Sequence, residues 1–194
     1  MTSTIPSSTA RLVLSPLSTD DIDDVFVVYG DPATWEHLPS GRHTAREQSE
    51  ALARRHRQSW ERAGLGPWAV RISGAGADED LPAGTFIGAG GVSMTEGGVW
   101  NLGYRLTPRS WGRGLATELA EAAVTAAGAA LPLVPVTARI LSNNRASSVV
   151  AQRAGLARRW EGPTTGIGTE LARWEIYADR VLTESQLEWL IARN

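Results

Sequence analysis

The chain has 194 residues, 42% of them hydrophobic and 21% charged, which is apolar content for an ordinary buried core. It has no cysteine, hence no disulfide and no thiolate for a metal or a substrate, and its net charge of −2 gives no basic footprint for nucleic acid. No apolar run reaches the roughly 18 residues of a membrane span, and the start lacks the basic and apolar regions of a signal peptide. The expectation is therefore a cytoplasmic protein with no membrane or nucleic-acid partner, and a single domain over residues 1–194 with a core of about 10–180 and a short polar N-terminal tail.

Alternation over residues 10–15 predicts a first strand, ended by Pro16. Ser18 opens a helix that runs to about Tyr29, with aspartates at its start and Gly30 as its stop. Residues 31–42 form a loop that carries Trp35 and His37. Thr44 and Glu47 have capping-box spacing for a helix reaching about Ala63, before Gly64. That helix is dense in arginine, which predicts solvated faces for His43 and His56. The three histidines are too dispersed to share a metal, and none is expected. Residues 66–72 and 85–94 read as strands, joined by a Gly- and Asp-rich hairpin loop over 73–81.

The stretch 100–118 organises the rest. Trp100, Leu102, Tyr104 and Leu106 share one parity, as on a strand, and Pro108 ends the ladder because it has no N–H to donate. From Leu115 the pattern turns helical through Leu119, Ala122, Ala123 and Ala126. Between them lies Arg109-Ser110-Trp111-Gly112-Arg113-Gly114. Glycines allow close backbone approach, the first helical turn leaves N–H groups unpaired, and arginines add forked positive donors, so this loop suits a diphosphate. It is not a Gly-x-x-x-x-Gly-Lys-Ser/Thr phosphate loop, since the chain has no lysine. Nor is it a Gly-x-Gly-x-x-Gly dinucleotide fingerprint, since Thr117 stands three residues after Gly114. Residues 136–141 are β-like, and Asn144 caps a short helix to about Ala154, stopped by Gly155 and Leu156. A last strand over 171–178 and a helix over about 184–192, capped by Thr183 and Gln186, close the chain.

The Arg109-x-x-Gly112-x-Gly114 loop after a strand resembles the Gln/Arg-x-x-Gly-x-Gly/Ala motif of the GNAT superfamily of N-acetyltransferases. Asn144-Arg145-Ala146-Ser147, followed by Arg153-Ala154-Gly155-Leu156, resembles that superfamily's Asn-x-x-Ser…Lys-x-Gly-Phe pattern. Gly103-Tyr104, Trp111-Gly112-Arg113-Gly114 and Ala116-Thr117-Glu118 together look like the ribosomal-protein (RimJ/RimL-like) branch, and the resemblance covers residues of about 10–179.

It implies an α/β (α+β) fold, a mixed and mostly antiparallel sheet splayed at the acetyl-CoA site and flanked by helices. It assigns acetyl-CoA as co-substrate, with pyrophosphate on the backbone of Arg109, Gly112, Arg113 and Gly114, helped by the Arg113 charge. Trp111 sits in that loop and Leu115 and Ala116 begin the helix, while the Leu106 backbone meets the pantetheine arm and Asn144 and Ser147 its far end. Trp35, His37 and Tyr104 border the acceptor groove. Ser147 is the expected partner of the departing sulfur, although a serine there also satisfies its own helix. The tyrosine that many relatives place on that helix is Ala151 here, and the glutamate two residues before the Gly-Tyr pair is Asn101, which can hold a water but not accept a proton.

At pH 7 roughly one lysine side chain in 2,500 is neutral, against about one α-amine in six. A site without a strong base therefore favours an α-amino group, in a small molecule or at a peptide N-terminus. The alternatives are an amino-sugar or antibiotic amine and, in another class, a catalytically weak acyl-CoA-binding or regulatory module. Many members of the resembled superfamily are homodimers, which makes a dimer an expectation here as well.

Overall fold

The computed structural model describes residues 8–163 and 173–193. Seven strands form one sheet in the order β1-β2-β3-β4-β5-β7-β6. They are β1 (Leu12–Pro16), β2 (Trp68–Ile72), β3 (Phe86–Met94), β4 (Trp100–Leu106), β5 (Val136–Leu141), β6 (Ala157–Pro163) and β7 (Arg173–Ala178). The helices are α1 (Ile22–Gly30), α2 (Arg46–Ala63), α3 (Leu115–Ala130), α4 (Arg145–Arg153) and α5 (Glu184–Ala192). Every neighbouring pair of strands is antiparallel except β4 and β5, which run parallel, with α3 as their crossover. This is the mixed, mostly antiparallel α/β sheet that the sequence implied.

Both faces of the sheet are covered. Leu115, Leu119, Ala120, Ala123, Ala126 and Ala127 make the buried stripe of α3, against Val70, Val92, Leu102 and Leu106. The alanines keep that helix close to the strands, at little cost in side-chain entropy. On the opposite face Val25, Val28, Tyr29 and Ala53 of α1 and α2 pack over Ala69 and Ala89. Leu190 of α5 closes a smaller cluster with Val99 and Ile176.

Local chemistry sets the boundaries. Ser18 and Asp21 cap each other's backbone ahead of α1, and Thr183 and Gln186 do so ahead of α5. At α2 the reciprocal acceptor is Gln48, one residue beyond the expected Glu47: its Oε1 takes the N–H groups of Thr44 and Ala45. Strand β6 was not anticipated. It is an edge strand with most of its side chains in solvent, and Arg158, Arg159 and Glu161 erase any apolar alternation. The expected last strand begins, in the described residues, at Arg173; Leu171 and Ala172 lie outside them. The hairpin loop over 73–81 is pinned by Leu81, which is buried, and by Asp78, whose Oδ1 accepts from the N–H groups of Asp80 and Leu81.

Candidate functional site

The site begins where two parallel strands come apart. β4 and β5 pair only at Trp100–Val136 and Asn101–Thr137, and the buried Thr137 hydroxyl donates to the Trp100 carbonyl at 2.8 Å. Beyond that clasp the strands diverge around a cleft of about 1020 Å³, walled by residues of β4, β5, α4 and the start of α3. Thr107 N–H donates to Ile87 on the β3 side, whereas Trp100 N–H donates to Pro135 on the β5 side. Backbone direction alternates along a strand, so the main-chain groups of Leu102, Tyr104 and Leu106 point into the gap. The indole N–H of Trp111 takes the Leu106 carbonyl at 2.9 Å.

At the mouth of the cleft the chain turns into α3 through Gly112 (φ 73°) and Gly114 (φ 76°), left-handed conformations that a β-carbon disfavours. The first backbone bond of the helix is Glu118 N–H to Gly114 O. Among the described residues, the N–H groups of residues 112–117 meet no acceptor, and all of these residues except Arg113 line the cleft. A row of unpaired donors at the positive end of a 16-residue helix is an anion site, and it fits the diphosphate of a CoA molecule. The turn is braced from behind: Glu118 accepts from Arg11 N–H and Nε, and Arg11 Nη1 donates to Arg113 O at 2.8 Å. Burial alone would raise the Glu118 pKa, but the bonds from Thr9 and Arg11 hold it below the usual range.

The side chains of the two loop arginines meet the β2–β3 hairpin. Arg113 pairs with Asp78 and Asp80, Arg109 Nη2 donates to the Asp80 carbonyl, and neither residue contributes to the cleft wall. The acidic turn of the β2–β3 hairpin holds both, and Asp78-Glu79-Asp80 was the only signal of it in the sequence. The cations that do line the cleft are Arg139, Arg145 and Arg153, together with Arg105 at its inner end.

At that inner end the Tyr104 hydroxyl donates to Ser147 Oγ across 3.3 Å. Asn144 Oδ1 accepts from Ser147 N–H at 3.2 Å, so its side chain serves as the cap of α4. Burial raises the Tyr104 pKa, with the Ser147 bond opposing, so the phenol keeps its proton at neutral pH. Ala151 is buried in the core, and a phenol reaches this region from β4 instead.

A second pocket of about 250 Å³ opens on the α1/α2 side of β4 and shares Gly103, Tyr104 and Arg105 with the cleft. Asn101, Ser93, Trp35, Tyr29 and His56 stand in its wall, which contains no carboxylate. Trp35 is buried, donates to Tyr29 O at 2.6 Å, and lies 3.2 Å from the Arg105 guanidinium carbon. His37 lines the main cleft rather than this pocket, and burial followed by the nearby Arg105 charge lowers its pKa.

His43 and His56 depart from the solvated reading. His43 is buried against Tyr29, with Nδ1 2.9 Å from Ser49 Oγ. His56 is half-buried, and its Nδ1 is buried without a partner among the described residues. Burial and then Arg55 push its pKa down to about 4. The helical spacing of Ser49, Ala53, His56 and Trp60 was the available signal, hidden among exposed arginines. No cluster of potential metal ligands exists among the described residues, and no helix among them is long and apolar enough to cross a membrane.

A sheet parted between parallel strands, with a bare helix start at the mouth of the gap, offers the strand edge and free N–H donors that a diphosphate-bearing ligand requires. The chain belongs to the acetyltransferase (GNAT) domain family, which matches residues 11–157. It resembles the GNAT-family acetyltransferase of Bacillus anthracis, with 17% identity and a TM-score of 0.69 over 88% of this chain and 95% of that one. It also resembles the ribosomal α-N-protein acetyltransferase RimL in complex with coenzyme A (16%, 0.69, over 92% and 97%). A third likeness is to the spermidine N-acetyltransferase of Vibrio cholerae in complex with CoA and spermine (14%, 0.68, over 92% and 99%). At these identities the likeness is one of fold.

Proposed function

We propose that the chain transfers the acetyl group of acetyl-CoA to a primary amine, and that the acceptor is an α-amino group in a small molecule or at a peptide N-terminus. The observation that carries this reading is the unpaired N–H row of residues 112–117 at the mouth of the parted sheet, with a second pocket meeting the cleft at Tyr104. Within the family, the Gly103-Tyr104 and Ala116-Thr117-Glu118 patterns support a RimJ/RimL-like placement.

Acetyl-CoA supplies an activated acyl carbon and a thiolate leaving group. The start of α3 holds the diphosphate through backbone donors, and the inward groups of Leu102, Tyr104 and Leu106 orient the pantetheine arm. The small pocket presents the amine. Its positive surroundings and lack of a carboxylate favour the unprotonated nitrogen, which the reaction requires. As the N–C bond forms and the C–S bond breaks, the nitrogen releases its proton to solvent. The Tyr104 hydroxyl, coupled to Ser147, donates a proton to sulfur.

Thiol release from acetyl-CoA, measured at pH 7–8 against N-terminal peptides, amino acids, polyamines and amino sugars, tests the reading, with calorimetric CoA titration of the same protein. Amine-dependent release is expected, and Tyr104→Phe is expected to lower kcat by about tenfold or more with CoA affinity unchanged. CoA binding without release on any amine would favour a binding module. Absence of CoA binding would overturn the assignment.

A further inference from the structure

We infer that the acceptor carries a carboxylate within a few bonds of its reactive amine, and that Arg105 receives it. The inference rests on the acetyl-transfer reading and deepens it. Arg105 stands next to the C-terminal end of β4 and lines both cavities. Among the described residues no carboxylate lies within salt-bridge distance of it, which sets it apart from Arg11, Arg46, Arg71 and Arg113. Among the described residues its one hydrogen bond runs from Nη1 to the Thr34 carbonyl, and Nε and Nη2 donate to none of their atoms. The guanidinium is stacked on Trp35 and lies 5.8 Å from the Tyr29 ring centroid, a geometry that fixes its fork in place.

A guanidinium moved away from water loses hydration that only an anion or several acceptors restore. Burial draws the Arg105 pKa down to about 10, so the group remains a cation at neutral pH. The rest of the small pocket points the same way. The pocket wall presents the neutral Asn101 and no acid, and Arg55 adds positive charge to the field at Tyr29, His43 and His56. A polycationic amine meets repulsion here. A small acceptor with amine and carboxylate close together meets a forked donor, and about 250 Å³ suits a group of amino-acid size.

The experiment compares kcat/KM for free amino acids with that for the corresponding amino-acid amides, and adds spermidine and a pair of peptides beginning with aspartate or asparagine. The wild-type protein is expected to prefer the carboxylate over the matched amide by about tenfold or more. Arg105→Gln is expected to bring that ratio close to one, chiefly by raising KM for the carboxylate, and Arg105→Lys to keep part of it. A Tm close to that of the wild type in both variants shows that they are folded. A purely packing role for Arg105 would lower both substrates together and leave the ratio unmoved. Preference for the aspartyl peptide over free amino acids would place the carboxylate on a side chain, within the same inference. Equal or better turnover of amides or spermidine, or an unchanged ratio in Arg105→Gln, overturns this inference while the acetyl-transfer reading stands. Absence of thiol release with every acceptor overturns both.

Discussion

Replacing glycine by alanine at three positions within one 17-residue stretch separates backbone strain from every other effect of an added methyl. Gly112 and Gly114 have φ of 73° and 76°, whereas Gly128 lies inside α3, exposed, at ordinary helical angles. A β-carbon at Gly112 or Gly128 meets nothing within 4 Å, and at Gly114 only Arg11 Nη2 at 3.5 Å. No clash distinguishes them, so the difference is conformational. A left-handed alanine costs about 1–2 kcal/mol, while helical alanine in place of glycine gains about 0.5–1 kcal/mol. For a chain of this size each kcal/mol moves Tm by about 2–4 °C. Gly112→Ala and Gly114→Ala are each expected to lower Tm by about 2–8 °C, and Gly128→Ala to raise it by about 1–4 °C. The first two tilt the N–H row and are expected to weaken CoA binding, and the third leaves it alone. Differential scanning calorimetry with and without CoA reads both quantities. Unchanged Tm and CoA affinity in Gly112→Ala, or a fall in Gly128→Ala matching the other two, would refute the reasoning.

The double replacement of Asp78 and Asp80 by asparagine releases Arg113 and is expected to tighten CoA binding a few-fold, since exposed pairs contribute about 0.2–1 kcal/mol each. Calorimetric titration at low and high salt checks this; the gain shrinks with salt, and an unchanged or weaker affinity contradicts it. The folded-state pKa of His56 is about 4, below the unfolded value near 6.5, so the unfolded chain binds more protons between those limits. Stability therefore falls as pH drops from about 6.5 towards 4, and His56→Gln is expected to flatten the decline in Tm over that window. Below about pH 4.3 Glu118 adds to the loss, because its folded pKa is depressed and its contribution disappears as pH falls through that value. Thr137→Val removes the buried clasp on the Trp100 carbonyl and is expected to cost about 1–3 kcal/mol, read as a lower Tm.

What was legible in the sequence is what backbone geometry dictates locally. Alternation fixed β4, the paired glycines marked the turn into α3, and Ser18, Asn144 and Thr183 announced helix starts because a cap acts within three residues. What was not legible depends on distant neighbours. Arg113 and Asp78 are 35 positions apart, and Tyr104 and Ser147 are 43 apart, so no local pattern foretold either pair. Charge also misled. Exposed arginines around His56 suggested a wet face for a residue that turns inward, and nothing near Arg113 in the sequence foretold its pairing with Asp78 and Asp80. β6 escaped notice because an edge strand in solvent needs no apolar periodicity.

On the proposed reading, the parting of β4 and β5 leaves main-chain atoms, rather than particular side chains, to grip the ligand. Every residue type carries the same amide, so such a grip places almost no demand on the alphabet beyond the glycines and the register. Selection can rewrite nearly all the lettering while the binding edge persists. That is how chains with 14–17% identity overlay across nearly their whole length. On the proposed reading that freedom ends at the second pocket, where Asn101 and Arg105 face the acceptor and a change of letter would be a change of substrate.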